Sequence, residues 1–278
     1  MQEIWLTARG RALHCLLAES ERDAPTVVFV HGLCGHASLF EPFVAALSDE
    51  GLNVLALDLQ GHGRSEGRRG HVPFEQALAN IGEVVGYASQ RSGRAVGLCG
   101  SGLGGILSFY AAMPDDRVAA VACHTAADLR ALLGFERRKR QRALAWLVGK
   151  TARRAEHVAP LARLPVRVLF PLVDFFEDEA RLTEWRADAD STWWYTLETL
   201  TSTFVTPDDK PAVEAMTKPL FVVAGEEDRV VPLAAQEDLC ALVPDAELSV
   251  LGGAGHMIPL EHTAETAARA GGWLRKVL

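Results

Sequence analysis

The 278-residue sequence lacks a basic field: 28 Lys and Arg stand against 36 Asp and Glu, a formal net charge of −8. A general nucleic-acid surface needs the opposite sign, so no nucleic-acid partner is expected. No apolar run is long enough for a bilayer. The longest, Val166 to Phe176, is interrupted by Arg167, Pro171 and Asp174, so no integral membrane segment is expected either. The opening residues, Met1 to Gly10, show no basic stretch followed by an apolar core, and no signal peptide is expected. Cysteine is sparse. There are five, an odd number, with neither C-x-x-C nor metal-ligand spacing. Buried reduced thiols, a cytoplasmic location, no metal and no cofactor follow as expectations, and a homodimer remains admissible.

What the chain does have is apolar mass. At 49% hydrophobic residues it can bury a large core, as one α/β domain or as one plus a modest insertion. Ile4 to Leu17 reads as a strand pair turning near Arg9-Gly10-Arg11. Thr26 to Val30 is β-branched and apolar throughout, as a strand buried on both faces should be. It ends in His31-Gly32-Leu33-Cys34-Gly35. A helix from about Phe40 to Asp49, a strand Asn53 to Leu57 and a helix Phe74 to Arg91 follow. Strands are expected again at Val118 to Cys123, Pro219 to Ala224 and Glu247 to Leu251, with a last helix from about Glu261 to Leu278. This alternation predicts a mostly parallel sheet with helices on both faces. It breaks between about Leu129 and Met216, where helical patterns run over Leu129 to His157, Leu161 to Glu177 and Ser191 to Phe204. The division expected is therefore 1–128 and 217–278 as the two parts of an α/β core, and 129–216 as a helical lid.

Chemistry gathers at three places. Arg94 to Gly105 is an apolar run entering a glycine cluster, and a helical pattern leaves it through Ile106, Phe109, Tyr110 and Met113. That is the strand–turn–helix setting of a nucleophile elbow, G-x-S-x-G, and the frame that fits is Gly100-Ser101-Gly102-Leu103-Gly104. Glycine stands at the nucleophile's position. Shifting the frame to make Ser101 the nucleophile puts Cys99 and Leu103 at outer positions that need small residues, so Ser101 is expected to be a neighbour that does not face the base. Backbone N–H groups of Leu33, after His31-Gly32, and of Leu103, at a helix start, suit an oxyanion hole. Asp228, in Gly225-Glu-Glu-Asp-Arg-Val-Val-Pro232, and His256, in Gly252-Gly-Ala-Gly-His256, follow later strands in the order nucleophile, acid, base.

His31-Gly32, Asp58-Leu-Gln-Gly-His-Gly-Arg-Ser65 with its continuation to Gly70, the elbow, Gly225 to Pro232 and Gly255-His256 together resemble the α/β-hydrolase superfamily. Within it the likeness is to the lysophospholipase and monoacylglycerol lipase-like branch. The resemblance implies the α/β-hydrolase fold, Asp228 and His256 as acid and base, and Leu33 and Leu103 as oxyanion-hole residues. It also implies a lid shaping an apolar pocket. The family would carry serine where Gly102 stands. Cys34 and His36, just past the oxyanion loop, and the lid aromatics Phe176, Trp193 and Trp194 are candidate pocket residues. Phe135, Trp146, Phe170, Phe175, Trp185 and Tyr195 add to the lid's aromatic area. Arg137 to Arg142 reads as a solvated helix face.

Three functions fit such a chain. In the first, His256 and Asp228 act as general base and acid on a small apolar substrate, with elimination, cyclisation or decarboxylation (lyase-type chemistry) as the outcome. In the second, esters or thioesters are hydrolysed, either by water that His256 activates in the serine's place or in an enzyme whose serine was lost by engineering. In the third, the pocket binds a ligand without catalysis.

Overall fold

The computed structural model describes residues 1–132, 159–168, 171–205 and 210–278. Eight strands form one sheet in the order β1-β2-β4-β3-β5-β6-β9-β10. The edge hairpin is β1 (Gln2–Ala8) and β2 (Arg11–Ala18), which pair antiparallel from Gln2–Leu17 to Ala8–Arg11. Arg9 and Gly10 both take positive φ at the turn, the twist a two-residue hairpin requires. Inward from β2, the strands β4 (Asn53–Leu57), β3 (Thr26–Val30), β5 (Val96–Ser101), β6 (Val118–His124), β9 (Leu220–Gly225) and β10 (Ala246–Leu251) are all parallel. The central strands are buried along their whole length, which is why their sequences are unbroken apolar runs.

The helices lie on both faces, as the strand–helix alternation predicts. Helix α3 (Leu103–Ala112) follows β5, and the single turn α8 (Ile258–Glu261) leads into the last helix, α9 (Thr263–Val277). On β5, Gly97 points toward Leu274 and Leu278 at the end of the chain, whereas Gly100, three residues on, points at the backbone of Gly104. Strand side chains alternate, so α3 and α9 cover opposite faces. A Cβ on Gly100 would lie 2.4 Å from Gly104 carbonyl atoms, so only glycine lets α3 approach this closely. Helices α1 (Glu41–Asp49) and α2 (Phe74–Ser92) match their expected spans within a residue at each end. Helix α7 (Leu233–Leu242), between β9 and β10, completes the alternation.

Chain order β3, β4, then β5 on the other side of β3 makes the gap between β3 and β5 a topological switch point. Ligands in open α/β sheets bind outside the strand ends there. His31-Gly32 and the Gly102 turn occupy those two ends.

Between β6 and β9 the described residues are less helical than the sequence pattern predicts. Leu129–Leu132 forms the single turn α4. Leu161 to Glu177 is not a helix: it holds strand β7 (Arg163–Pro165) and short 3-10 turns at Val166–Val168 and Leu172–Asp174. Pro165 and Pro171 each lack a backbone donor, which breaks the apolar pattern into turns. A helix the pattern did not announce, α5 (Glu179–Ala187), is N-capped by Asp178, whose carboxylate accepts the Ala180 N–H at 2.8 Å. Ser191 to Phe204 divides into strand β8 (Trp194–Thr196), paired with β7, and helix α6 (Leu197–Phe204), capped by Thr196. Phe135, the basic run Arg137 to Arg142, Trp146, Phe170 and most of the expected Leu129 to His157 helix lie outside the described residues.

Candidate functional site

Strand β5 delivers Ser101 and then turns sharply at Gly102, whose φ of 55° and ψ of −122° precede α3. This backbone is costly for any residue with a side chain, by about 1–3 kcal/mol. A Cβ added at Gly102 would meet His256 Nε2 at 3.5 Å and Cε1 at 4.0 Å, and among the described residues, its chain neighbours aside, nothing else within 4 Å. The elbow position therefore faces the imidazole at van der Waals distance.

His256 is held from behind. Its Nδ1 lies 2.8 Å from Asp228 Oδ2, while Asp228 Oδ1 accepts the N–H groups of Val230 and Val231 at 2.8 and 2.9 Å. Burial pushes the Asp228 carboxyl up, but His256, the backbone donors and His124 outweigh it and leave it below its ordinary value. A carboxylate at Nδ1 fixes the tautomer in which Nδ1 carries the proton and Nε2 keeps its lone pair. Among the described residues the ring's hydrogen bond is the one at Nδ1, and Nε2 is the nitrogen that faces the elbow. Phe175 packs edge-on to the ring at 5.3 Å.

Ser101 does not join this pair directly. Its hydroxyl is buried 3.0 Å from Nδ1 of His124, the last residue of β6. The His124 ring lies 5.3 Å from that of His256, and its Nε2 meets Thr125 Oγ1 at 3.2 Å. Burial, with His256 nearby, holds His124 down at about 3, so it is neutral at physiological pH. Sequence reasoning missed His124. The available signal was a polar residue closing an apolar strand next to the elbow strand. Thr125 follows it at φ 66°, rare for a β-branched residue and a sign of backbone strain beside the site. His124, Asp228 and His256 bring one ligand-type atom each within 4.8 Å of one another, the grouping among the described residues that resembles a metal set. Both His124 nitrogens and both Asp228 oxygens already take part in hydrogen bonds, which a cation would have to displace.

The loop after β3 supplies the other wall. His31 accepts the Leu59 N–H on Nε2 at 3.1 Å and donates from Nδ1 to the Gly32 carbonyl at 2.9 Å, so burial keeps it neutral in a fixed tautomer. Leu33 and Leu103 line a cavity of about 20 Å³ with His31, His62 and Tyr195, room for one water. Among the described residues neither the Leu33 nor the Leu103 N–H donates to a protein acceptor. Next in the loop, Cys34 sits at φ 63° and its N–H donates to Tyr195 Oη at 2.9 Å. Tyr195 in turn donates to His62 Nε2 at 2.8 Å. Burial holds His62 near 3, which keeps that nitrogen an acceptor. His36 Nε2 contacts Asp188 Oδ2 at 2.5 Å, just past α5. Cys34 and His36 thus tie the loop to the segment between β6 and β9. Asp58, in the glycine-rich segment after β4, accepts from Ala37 at 2.6 Å and Arg64 at 2.9 Å and pairs with His14 at 2.8 Å, bracing the loop from below.

The aromatic candidates separate. Phe175, rather than Phe176, touches His256; Phe176 packs on Trp185 at 5.3 Å, as does Trp193 at 4.8 Å. Trp194 is 46% exposed, because strand alternation on β8 turns Tyr195 inward and Trp194 outward, so it does not line an enclosed pocket. Glu177, missed in sequence, accepts the N–H of Gly255 at 2.6 Å and links this segment to the His256 loop.

Two buried neutral histidines give the fold a pH dependence. His62 and His124 have folded values near 3, below the unfolded value of about 6.5. The unfolded chain therefore binds more protons between those values. Their contribution is complete above pH 6.5 and is lost as pH falls toward 3, by about 1.4 kcal/mol per pH unit for each histidine. Thermal unfolding followed from pH 7 to pH 4 should show Tm falling below about pH 6.5, and His124→Gln should flatten the fall.

Comparison with known proteins agrees with this architecture. The family model described as serine aminopeptidase, S33, matches residues 21–263. An uncharacterised 31.7 kDa protein of Escherichia coli is 30% identical over 141 residues, and the match spans 49% of each chain. A pimeloyl-[acyl-carrier protein] methyl ester esterase of Stenotrophomonas maltophilia is 29% identical over 259 residues, 88% of this chain and 90% of that one. A Paleococcus ferrophilus monoacylglycerol lipase superposes with a TM-score of 0.78 at 20% identity, covering 96% of this chain and 99% of that chain, a likeness of fold alone. No helix among the described residues is long and apolar enough to cross a membrane.

Proposed function

The chain belongs to the serine aminopeptidase S33 family of α/β-hydrolase-fold proteins, and we propose that it hydrolyses esters or thioesters of small apolar acyl groups by direct attack of water. The observation that carries this reading is the elbow's missing side chain, which leaves His256 Nε2, 3.5 Å from where a Gly102 Cβ would stand, without a protein-borne hydroxyl to activate. Water held there gives a proton to Nε2 as its oxygen attacks the acyl carbon. Asp228 stabilises the imidazolium, and the Leu33 and Leu103 N–H groups take the negative charge on the carbonyl oxygen. His256 then returns the proton to the leaving alkoxide or thiolate as its bond to carbon breaks. No acyl-enzyme forms. The apolar acyl end faces Phe175 and the ring cluster around Trp185.

The named activity of the Stenotrophomonas maltophilia relative favours hydrolysis, and lyase-type chemistry gains no support from it. The test is to assay the purified protein on chromogenic short- and medium-chain acyl esters in the presence of a fluorophosphonate that labels activated serines. Multiple turnovers with no label incorporated are expected. An absence of turnover on every ester, or inhibition in step with covalent labelling, would contradict the proposal.

A further inference from the structure

The loop that crosses the elbow is held in a strained turn by groups from the segment between β6 and β9. Gly32-Leu33-Cys34-Gly35 closes a β-turn in which the Gly35 N–H donates to the Gly32 carbonyl at 3.1 Å. Cys34, the third residue, has a φ of 63°, and Leu33 before it is not among the positive-φ residues, which is the type II pattern. That third position calls for glycine or asparagine. Glycines stand on both sides of it, but each meets a different close approach. A Cβ on Gly32 would lie 2.7 Å from the Ser101 carbonyl oxygen, and one on Gly35 would lie 3.1 Å from the Phe40 ring. A cysteine is therefore left in the left-handed region beside Leu33. Both of its backbone polar groups are bonded across the chain: the N–H donates to Tyr195 Oη at 2.9 Å, and the carbonyl accepts the Thr192 N–H at 3.2 Å. Cys34 and Tyr195 are both buried, so bulk solvent does not compete for these bonds.

The bond to Tyr195 has a fixed polarity. His62 is neutral, its Nδ1 donates to the Gln60 carbonyl at 3.1 Å, and its Nε2 takes the Tyr195 proton at 2.8 Å. With that proton given to His62, the tyrosine oxygen can only accept from the loop. A flip of the Leu33–Cys34 peptide, the change from a type II to a type I turn, would bring the Leu33 carbonyl toward that oxygen, acceptor against acceptor. Tyr195 is itself anchored, since the next residue, Thr196, donates its N–H to the Gly70 carbonyl at 3.0 Å. We propose that Tyr195 is a positioning residue for the oxyanion hole: its hydroxyl holds the turn against this flip and so keeps the Leu33 N–H, one Cα away from the flipping peptide, aimed at the substrate's carbonyl oxygen. This rests on the hydrolytic reading, in which Leu33 and Leu103 are the donors. It goes beyond that reading in tying the hole to a residue 161 positions along the chain that does not touch substrate.

The experiment compares the full-length wild-type protein with Tyr195→Phe, Cys34→Gly and the double variant on a chromogenic acyl ester. Values of kcat and KM are resolved separately, with thermal unfolding in parallel. Tyr195→Phe keeps the ring and removes the acceptor. Its kcat should fall by about ten- to a hundredfold with KM unchanged, short of the loss that follows when a whole oxyanion donor is removed. In the double variant the residue at position 34 takes the left-handed conformation without a holding group. Its kcat should therefore exceed that of Tyr195→Phe and match that of Cys34→Gly. Where Tyr195→Phe does not fold, the match between the double variant and Cys34→Gly carries the test. Wild-type kcat in Tyr195→Phe overturns the proposal and leaves the hydrolytic reading intact. A loss that Cys34→Gly does not regain, or one that falls on KM, does the same, because the tyrosine would then be structural alone. No release from any ester by the wild-type protein overturns both.

Discussion

Replacing His256 with alanine is expected to lower kcat/KM for acyl esters by about a hundred- to ten-thousand-fold, the range that general acid–base groups supply. Most of the loss should fall on kcat, because the ring acts on the proton of the attacking water and not on the acyl chain. Asp228→Asn is the informative companion. Its amide oxygen can still accept the Val230 and Val231 N–H groups that Asp228 Oδ1 now binds, so the loop should stay folded. Its amide N–H₂ would then face His256 Nδ1 and make that nitrogen an acceptor. The proton would move to Nε2, the one nitrogen that must be free to take a proton. A loss within about tenfold of the alanine variant follows from that inverted tautomer. Steady-state kinetics with parallel thermal unfolding check both. Retained activity in His256→Ala would remove the dyad from the mechanism.

Gly102→Ser should have the opposite sign. A serine there starts its side chain 3.5 Å from Nε2, within easy reach of a hydrogen bond once Oγ is added. Removing the serine from a working triad costs about a million-fold in turnover, so even an imperfectly seated serine should raise turnover of short acyl esters by about a thousandfold. The positive φ at position 102 costs about 1–3 kcal/mol with a side chain present. The variant should therefore melt lower while working faster, and it should become sensitive to fluorophosphonates. A folded Gly102→Ser protein with no gain would mean that the Leu33 and Leu103 donors are not aimed at an acyl oxygen.

Much of this was legible in the sequence where one physical constraint dominates. Thr26–Val30 and Asn53–Leu57 have the bounds the apolar runs predict, because both faces of each strand are covered. The elbow frame was legible because outer positions without side chains are needed where α3 meets β5: a Cβ on Gly100 would lie 2.4 Å from Gly104 carbonyl atoms. The segment after β6 was not. Its apolar residues recur at helix-like intervals around Pro165 and Pro171, but the chain there is held by long-range bonds: Tyr195 to Cys34, Asp188 to His36 and Glu177 to Gly255. Such pairings carry no local period. His124 escaped for the same reason, since its partner Ser101 lies on the adjacent strand 23 residues away. Nor does periodicity distinguish Phe175, against His256, from Phe176, against Trp185.

The central claim is that this elbow works without a protein-borne nucleophile. The most direct measurement is the first-turnover time course of leaving-group release from a chromogenic acyl ester, with the wild-type and Gly102→Ser proteins side by side. The account predicts release from the wild-type protein that is linear from the first turnover, and from Gly102→Ser a burst approaching one equivalent per active site before the steady rate. A stoichiometric burst from the wild-type protein would contradict it, because acyl groups would then be passing through a side chain that Gly102 does not have.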